Sequence, residues 1–381
     1  MDFSALTSYL DSLEVIGIPG VDCIIQQGHE TIYRHMSGYS DREAGIPVMG
    51  SERGFFYSCT KPVVCVAAMQ LYERGLFLLT DELGDYMPEF KEMTITRQMP
   101  NGERVLEKAK NPIRIVDLFT MTAGFKTYLK AEPLRRVREE TNGQMPTRET
   151  IRALGGHHLE WEPGTHWYYS TLCHDILGAL IEELTGLTFG EYLRQNLFQP
   201  LGMTRSSFDT QGIAPQYRRN DETGAVERIG LTNDYILGPA YESGGAGLIS
   251  CVEDYIKFGS ALANGGCGAD GTRILSRATI DLMRTNHLSD AVLPTFDWPE
   301  MRGYGYGLGV RTLIDPVAAG SNSPLGEFGW FGAAGQYLLV DPERKLSLFY
   351  AQHVLENRTG PFKPRQRNSR IRNAFYAGID D

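Results

Sequence analysis

Ser58-Cys59-Thr60-Lys61 is the tetrapeptide of this chain whose residue types and spacing suit chemistry best. It lies where an irregular stretch, 51–56, gives way to an apolar run of helical period, 63–72. A serine at a helix start and a lysine one turn later share a face. A serine hydroxyl is a poor nucleophile until a neighbouring base takes its proton, and the lysine stands where such a base is needed. The helix start adds unpaired N–H groups and a partial positive charge, which favour an oxyanion formed on attack. The same two residues also fit a helix cap followed by a solvated lysine. Other segments must decide between these readings.

Two segments bear on it. Pro163-Gly164 opens a turn that leads into His166-Trp167-Tyr168-Tyr169-Ser170-Thr171. A tyrosine held near a Ser/Lys pair relays protons, although two tyrosines packed beside a helix explain the same residues. Phe328-Gly329-Trp330-Phe331-Gly332-Ala333-Ala334-Gly335 runs into a β-like segment. Small residues let backbone approach a substrate, and a backbone N–H there completes an oxyanion hole. A glycine-rich start to a strand is the plainer account.

The elements that must position these groups are legible in outline. Residues 2–14 have helical period, and Pro19-Gly20 ends that segment. The runs 21–26 and 31–36, joined at Gly28-His29-Glu30, predict a β-hairpin. The nucleophile helix reaches about Arg74-Gly75. Pro100-Asn101-Gly102 marks a turn between extended runs in 92–108. Helices are predicted over 175–184, 188–197 and 253–264, the last closed by Gly265-Gly266. From Gly303 the pattern alternates, with strands predicted over 305–312, 336–340 and 346–351 and a helix from about Gln366. Sheet-forming segments thus lie at both ends of the chain. They predict one antiparallel sheet with terminal helices on its faces, built from 1–75 and 250–381, and a mostly helical lobe over 76–249. A cleft between the lobes is a common place for a ligand.

The 381 residues carry a net charge of −10, which argues against a nucleic-acid surface. The basic cluster near the end (Lys363, Arg365, Arg367, Arg370, Arg372) reads as the polar side of a terminal helix. No run of about 18 apolar residues predicts a membrane span. The first residues do not resemble a signal peptide, and the six cysteines have no paired spacing, so a cytoplasmic protein with free thiols is expected. Rival sites fail on spacing. No G-x-S-x-G is present. His29-Glu30 with His35 misses the H-E-x-x-H spacing. His157-His158 with Glu160 reads as a loop, and the sequon Asn357-Arg358-Thr359 is idle without secretion.

Taken in order along the chain, these motifs resemble the serine β-lactamase/penicillin-recognising superfamily, most closely its class C-related branch of esterases. The resemblance rests on Ser58-Cys59-Thr60-Lys61-Pro62, Leu118 to Phe125, Pro163-Gly164 with Tyr169-Ser170-Thr171, Ser243 to Ser250 with Asp254-Tyr255, and Gly329 to Gly332 with Val340-Asp341-Pro342-Glu343. It implies a two-lobe α+β fold with Ser58 as the acylated nucleophile. Lys61, neutral when poised, is implied as its base, and Tyr169 as a second proton carrier. Tyr169 is preferred to Tyr168 because it directly precedes Ser170, and in extended backbone adjacent side chains diverge. The implied oxyanion donors are the N–H groups of Ser58 and Ala333, and Thr171, Trp330 and Gly332 are implied to meet substrate. Two departures stand out. Thr171 replaces the usual asparagine, and a hydroxyl cannot copy an amide that donates and accepts at separate atoms. Trp330 replaces the lysine of K-T-G, which removes a cation suited to a lactam carboxylate. Both favour a serine hydrolase of carboxylesterase type acting on small-molecule esters, with neither metal nor organic cofactor. An acyltransferase, an amidase or D-peptidase and a weak β-lactamase share the first half-reaction. A non-catalytic sensor or assembly protein of the same fold is the alternative from another class. Tyr128, Trp298, Tyr304 and Trp330 suggest an apolar or aromatic substrate group, or belong to the core. Oligomeric state has no signal in the sequence.

Overall fold

The computed structural model describes residues 1–126, 131–220, 222–356 and 364–379, without the side chains of 364 and 365. Tyr128, the sequon at 357–359, Lys363 and the Arg365 side chain lie outside the described residues. The central feature is an eight-stranded sheet. Its strands are β1 (Gly20–Gln27), β2 (Glu30–Asp41), β3 (Ile46–Pro47), β4 (Tyr304–Tyr306), β5 (Arg311–Leu313), β6 (Phe328–Gly329), β7 (Tyr337–Asp341) and β8 (Leu346–Ala351). They are ordered β4-β5-β6-β7-β8-β1-β2-β3, and every adjacent pair is antiparallel. The two ends of the chain meet where β1 pairs with β8, Ile24 opposite Phe349.

Period-two alternation divides the core. Cys23, Ile25, Leu339, Leu348 and Tyr350 pack with Leu6 and Leu10 of α1 (Ser4–Val15) and with Ile371 and Phe375 of α5 (Pro364–Ala377). Ile24, Leu338, Val340 and Phe349 face the other way, toward α4 (Val252–Ala263) and the helical interior. The two terminal helices therefore share one face, and an internal helix covers the other. The helical part is centred on α2 (Thr60–Glu73), whose residues from Thr60 to Leu71 are all buried. A helix apolar all round belongs in the middle of a core. It packs against α3 (Thr171–Thr185).

Three expectations are corrected. The strand predicted over 305–312 is a hairpin, because Gly307 N–H closes a turn onto Val310 O at 2.8 Å and Gly309 takes φ 80°. The helix expected from 175 begins at Thr171, so Thr171 lies in its first turn. The terminal basic cluster is not all polar surface. Arg367 is buried on Glu356, and Arg372 is buried with its guanidinium donating to the Tyr304 hydroxyl at 2.7 Å.

Candidate active site

The chain reaches the nucleophile turn along the short strand Gly54–Phe55, which pairs with Ile249–Ser250. Phe56 N–H donates to Leu248 O at 2.9 Å. Leu248 N–H donates to the Thr60 hydroxyl at 3.0 Å, and that hydroxyl donates to Tyr57 O at 2.6 Å. The turn is thus tied to residues 248–250 on both sides of Ser58. Tyr57 takes φ 47°, a left-handed backbone that costs a bulky residue about 1–3 kcal/mol. Its hydroxyl donates to Thr232 O at 2.7 Å and accepts from Gln216 Nε2, which holds it in place. A tight turn, Tyr57–Cys59, then leads directly into α2.

Lys61 is fully buried. Its Nζ donates to Ser58 Oγ at 3.1 Å and to Gly245 O at 2.6 Å. That carbonyl reaches the lysine because residue 245 is glycine. A Cβ there would lie 2.3 Å from Thr171 Cγ2 and 2.6 Å from Thr171 O, closer than side chains pack. Tyr169 comes from the stretch before α3. Tyr168 N–H donates to Met121 O at 3.1 Å, and Trp167 N–H donates to the Thr295 hydroxyl at 2.9 Å. These bonds tie the residues just before Tyr169 to two neighbouring segments. The Tyr169 hydroxyl oxygen lies 2.5 Å from Ser58 Oγ, and Lys61 Nζ lies 4.7 Å from the Tyr169 ring centroid. Tyr168 turns away and stacks on Trp161 at 4.7 Å.

Ser58, Tyr169, Phe331, Gly332 and Ala333 line a cavity of about 80 Å³. Ala333 lies in a turn that Gly335 N–H closes onto Gly332 O at 3.2 Å. Its own N–H has no backbone acceptor among the described residues. Gln336 fastens this turn to the nucleophile strand: its side-chain amide donates to Phe55 O at 2.9 Å, and its backbone carbonyl accepts from Gly332 N–H at 2.9 Å. A wider groove of about 750 Å³ shares Tyr169 and Ala333 and is lined further by Tyr57, Tyr168, Thr171 and Tyr235. Another cavity of about 80 Å³, behind Gln336, is lined by Asp22 and His353 and does not include Ser58.

Trp330 is not on the cavity surface. Its side chain is 0% exposed and stacks behind Tyr169, with ring centroids 5.9 Å apart, and against Phe331 at 4.9 Å, while Tyr306 meets it edge-on at 5.2 Å. The expectation that Trp330 meets substrate is corrected: Phe331 presents the apolar surface, and the indole backs Tyr169. Tyr304 is also core, its hydroxyl donating to Glu327 at 3.1 Å. Trp330→Ala is therefore expected to lower stability by roughly 3–5 kcal/mol and to lower kcat as well, because Tyr169 loses its backing. Urea denaturation and ester turnover measure the two effects. An unchanged denaturation midpoint would show that the indole supports nothing.

Three features carried no sequence signal. One is the Gly245 carbonyl on Lys61. The second is Asp175 behind it, which accepts from Gly245 N–H at 2.9 Å, from the Ser243 hydroxyl at 2.7 Å and from the Tyr241 hydroxyl at 3.0 Å. The third is Glu356, which lines both the Ser58 cavity and the groove and holds Arg219 at 2.9 Å and Arg367 at 2.8 Å. Arg219 lies 137 positions from Glu356, and a pair so far apart in sequence announces itself by no local pattern. Among the described residues, no group of three or more His, Cys, Asp or Glu side chains is suited to a metal, and no helix is long and apolar enough to cross a membrane.

Esterase EstB of Burkholderia gladioli is 27% identical over 412 residues, spanning 99% of this chain and 97% of its own. Acyltransferase calJ of Penicillium decumbens is 26% identical over 394 residues, spanning 92% of each chain. The solved structure of EstCE1, a hydrolase with promiscuous acyltransferase activity, matches with a TM-score of 0.77 at 25% identity, spanning 98% of this chain and 99% of that one. An antiparallel sheet backed by terminal helices agrees with one further match, over residues 11–375, and the chain belongs to the Beta-lactamase family.

Proposed function

We propose that this chain is a serine hydrolase that cleaves small carboxylic esters through an acyl-enzyme on Ser58. The observation that carries the reading is the position of Ser58 Oγ, within hydrogen-bond distance of both Lys61 Nζ and the Tyr169 hydroxyl, at the edge of a cavity. Ser58 Oγ attacks the ester carbonyl as its proton passes to the Lys61/Tyr169 pair. The oxyanion is held by the N–H groups of Ser58 and Ala333. The alcohol leaves with the proton, and water then repeats the sequence and frees the acid. Gly332 and Phe331 shape the acyl side, and Thr171 meets the part of the substrate in the groove. The likeness to Esterase EstB supports this reading. The site lies between the eight-stranded sheet and the helical part centred on α2. The six cysteines are unpaired, which supports the cytoplasm as the compartment.

A second reading, acyl transfer to an alcohol, draws support from the wide groove beside Ser58 and from the likeness to calJ and EstCE1. It uses the same acyl-enzyme and replaces water in the second half-reaction.

The test compares kcat/KM for short-chain p-nitrophenyl esters with that for nitrocefin. Position 330 holds a buried indole, so no lysine ammonium reaches the cavity from that strand. A charge-assisted contact to a carboxylate contributes ~1.5–3 kcal/mol. At ~1.4 kcal/mol per tenfold, its absence costs a lactam roughly one to two orders of magnitude. An uncharged ester loses nothing. Esters are expected to be the faster substrates by a wide margin, and nitrocefin turned over as well as the esters would sink the assignment.

A further inference from the structure

We propose that Asp175 is a positioning residue for the Ser58 reaction: through the turn at 243–245 it sets Lys61 in place and supplies the negative charge that stabilises this lysine once it has taken the serine proton. The proposal rests on the reading of Lys61 as proton acceptor and deepens it.

The geometry runs in one line from Asp175 to the nucleophile. Asp175 lies on α3, four residues after Thr171, and is buried. One carboxylate oxygen accepts from the Ser243 hydroxyl at 2.7 Å and from Gly245 N–H at 2.9 Å, and the other accepts from the Tyr241 hydroxyl at 3.0 Å. Ser243 Oγ in turn accepts from Ala246 N–H at 3.1 Å, which closes the turn. The turn presents Gly245 O to Lys61 Nζ at 2.6 Å. It sits hard against α3, since a Cβ on Gly244 would lie 2.3 Å from His174 O. The carbonyl that orients the lysine is therefore fixed by the helix that carries the carboxylate.

The charge argument is separate. When Lys61 takes the Ser58 proton, an ammonium forms in a fully buried place, which is costly without a nearby opposite charge. The groups that act on the Asp175 carboxylate are Lys61 on α2, the Tyr241 phenol and the Ser243 and Gly245 donors of the turn. Glu182 acts on Tyr241 from further along α3. His174, beside Asp175, is held well below the usual histidine range by burial and then by Lys61, so it stays neutral. Tyr241 is pushed well above the usual phenol range by burial and by Asp175, so it remains a donor. Burial raises Asp175 to about 6, opposed by its three hydrogen bonds and by Lys61. At neutral pH the carboxylate is thus the negative partner that faces Lys61.

Asp175→Asn separates charge from shape. An asparagine oxygen keeps the bonds from Ser243 and Gly245, and its NH2 can donate to Tyr241, whose hydroxyl is free to turn. A purely structural role survives that change. The proposal expects kcat for a p-nitrophenyl ester to fall on the order of 10- to 100-fold, KM to change little, and the acid limb of the kcat/KM profile to move to lower pH. Tyr241→Phe keeps the carboxylate and removes one donor, so Asp175 protonates at higher pH. Its acid limb is expected to move to higher pH, the opposite direction. Wild-type kcat and pH profile in Asp175→Asn would overturn the proposal. If Asp175→Asn does not fold, an unmoved limb in Tyr241→Phe overturns it instead. Lys61→Ala separates the two levels: an active Lys61→Ala sinks the acyl-enzyme reading itself, whereas an inactive Lys61→Ala beside a wild-type-like Asp175→Asn sinks this proposal alone.

Discussion

Ser58→Ala is expected to lose ester turnover by on the order of 10⁴-fold or more, the usual consequence of deleting a nucleophile that works as part of a unit. The fold should persist. Ser58 is half-buried at a cavity edge, and its turn is held by Phe56, Tyr57 and Thr60 through bonds that do not involve the serine hydroxyl. The variant should therefore keep the wild-type circular dichroism and denaturation midpoint. Intact-mass measurement after incubation with an acyl donor gives a second readout, because wild type should gain one acyl group and the variant none. A variant that turns esters over at the wild-type rate would remove Ser58 from the mechanism. A variant that is inactive yet still acylated would move the nucleophile elsewhere. One that is inactive, unacylated and folded is the expected result.

Much of this was legible before any coordinates, for reasons particular to each element. Ser58 and Lys61 are three apart at the start of a helical run, and helical geometry alone brings such residues together. Tyr169 lies 111 positions from Ser58 and touches it at 2.5 Å. No local rule gives that contact, and it came only through the resemblance of ordered motifs. The sheet was readable because Cys23, Ile24 and Ile25, or Leu338, Leu339 and Val340, alternate between two cores. The single strand expected over 305–312 failed at Gly307 and Gly309, where a turn closes inside an apparently continuous pattern. Trp330 was misplaced because sequence gives a position on a strand but not the depth of the side chain. Arg372 looked like surface charge because its partner Tyr304 lies 68 positions away, and Arg367 because its partner Glu356 lies 11 positions back, outside the helix. The Gly245 carbonyl was invisible for a simpler reason: every residue has one, and only the fold selects which meets the lysine.

Lys61→Ala and Tyr169→Phe are each expected to lower kcat by roughly 10²–10⁴-fold, the range for a positioned acid or base. The double variant should be little worse than the poorer single one. Both side chains reach the same oxygen, Lys61 Nζ at 3.1 Å and the Tyr169 hydroxyl at 2.5 Å, and Lys61 Nζ lies 4.7 Å from the centroid of the tyrosine ring. They act on one proton, so removing either breaks the relay that the other needs. Residues in one hydrogen-bond network are coupled, and a double-mutant cycle measures that coupling directly. Losses that simply multiply would argue for two independent roles, such as a lysine that deprotonates Ser58 and a tyrosine that only orients substrate. Tyr168→Phe serves as the internal control. Its ring stacks on Trp161 at 4.7 Å, and no hydrogen bond between it and Ser58 is seen among the described residues. It should retain kcat close to wild type, with any effect confined to KM for substrates that fill the groove. A Tyr168→Phe variant as damaged as Tyr169→Phe would mean that the proton passes through both rings, and the relay would then extend from Ser58 into the groove.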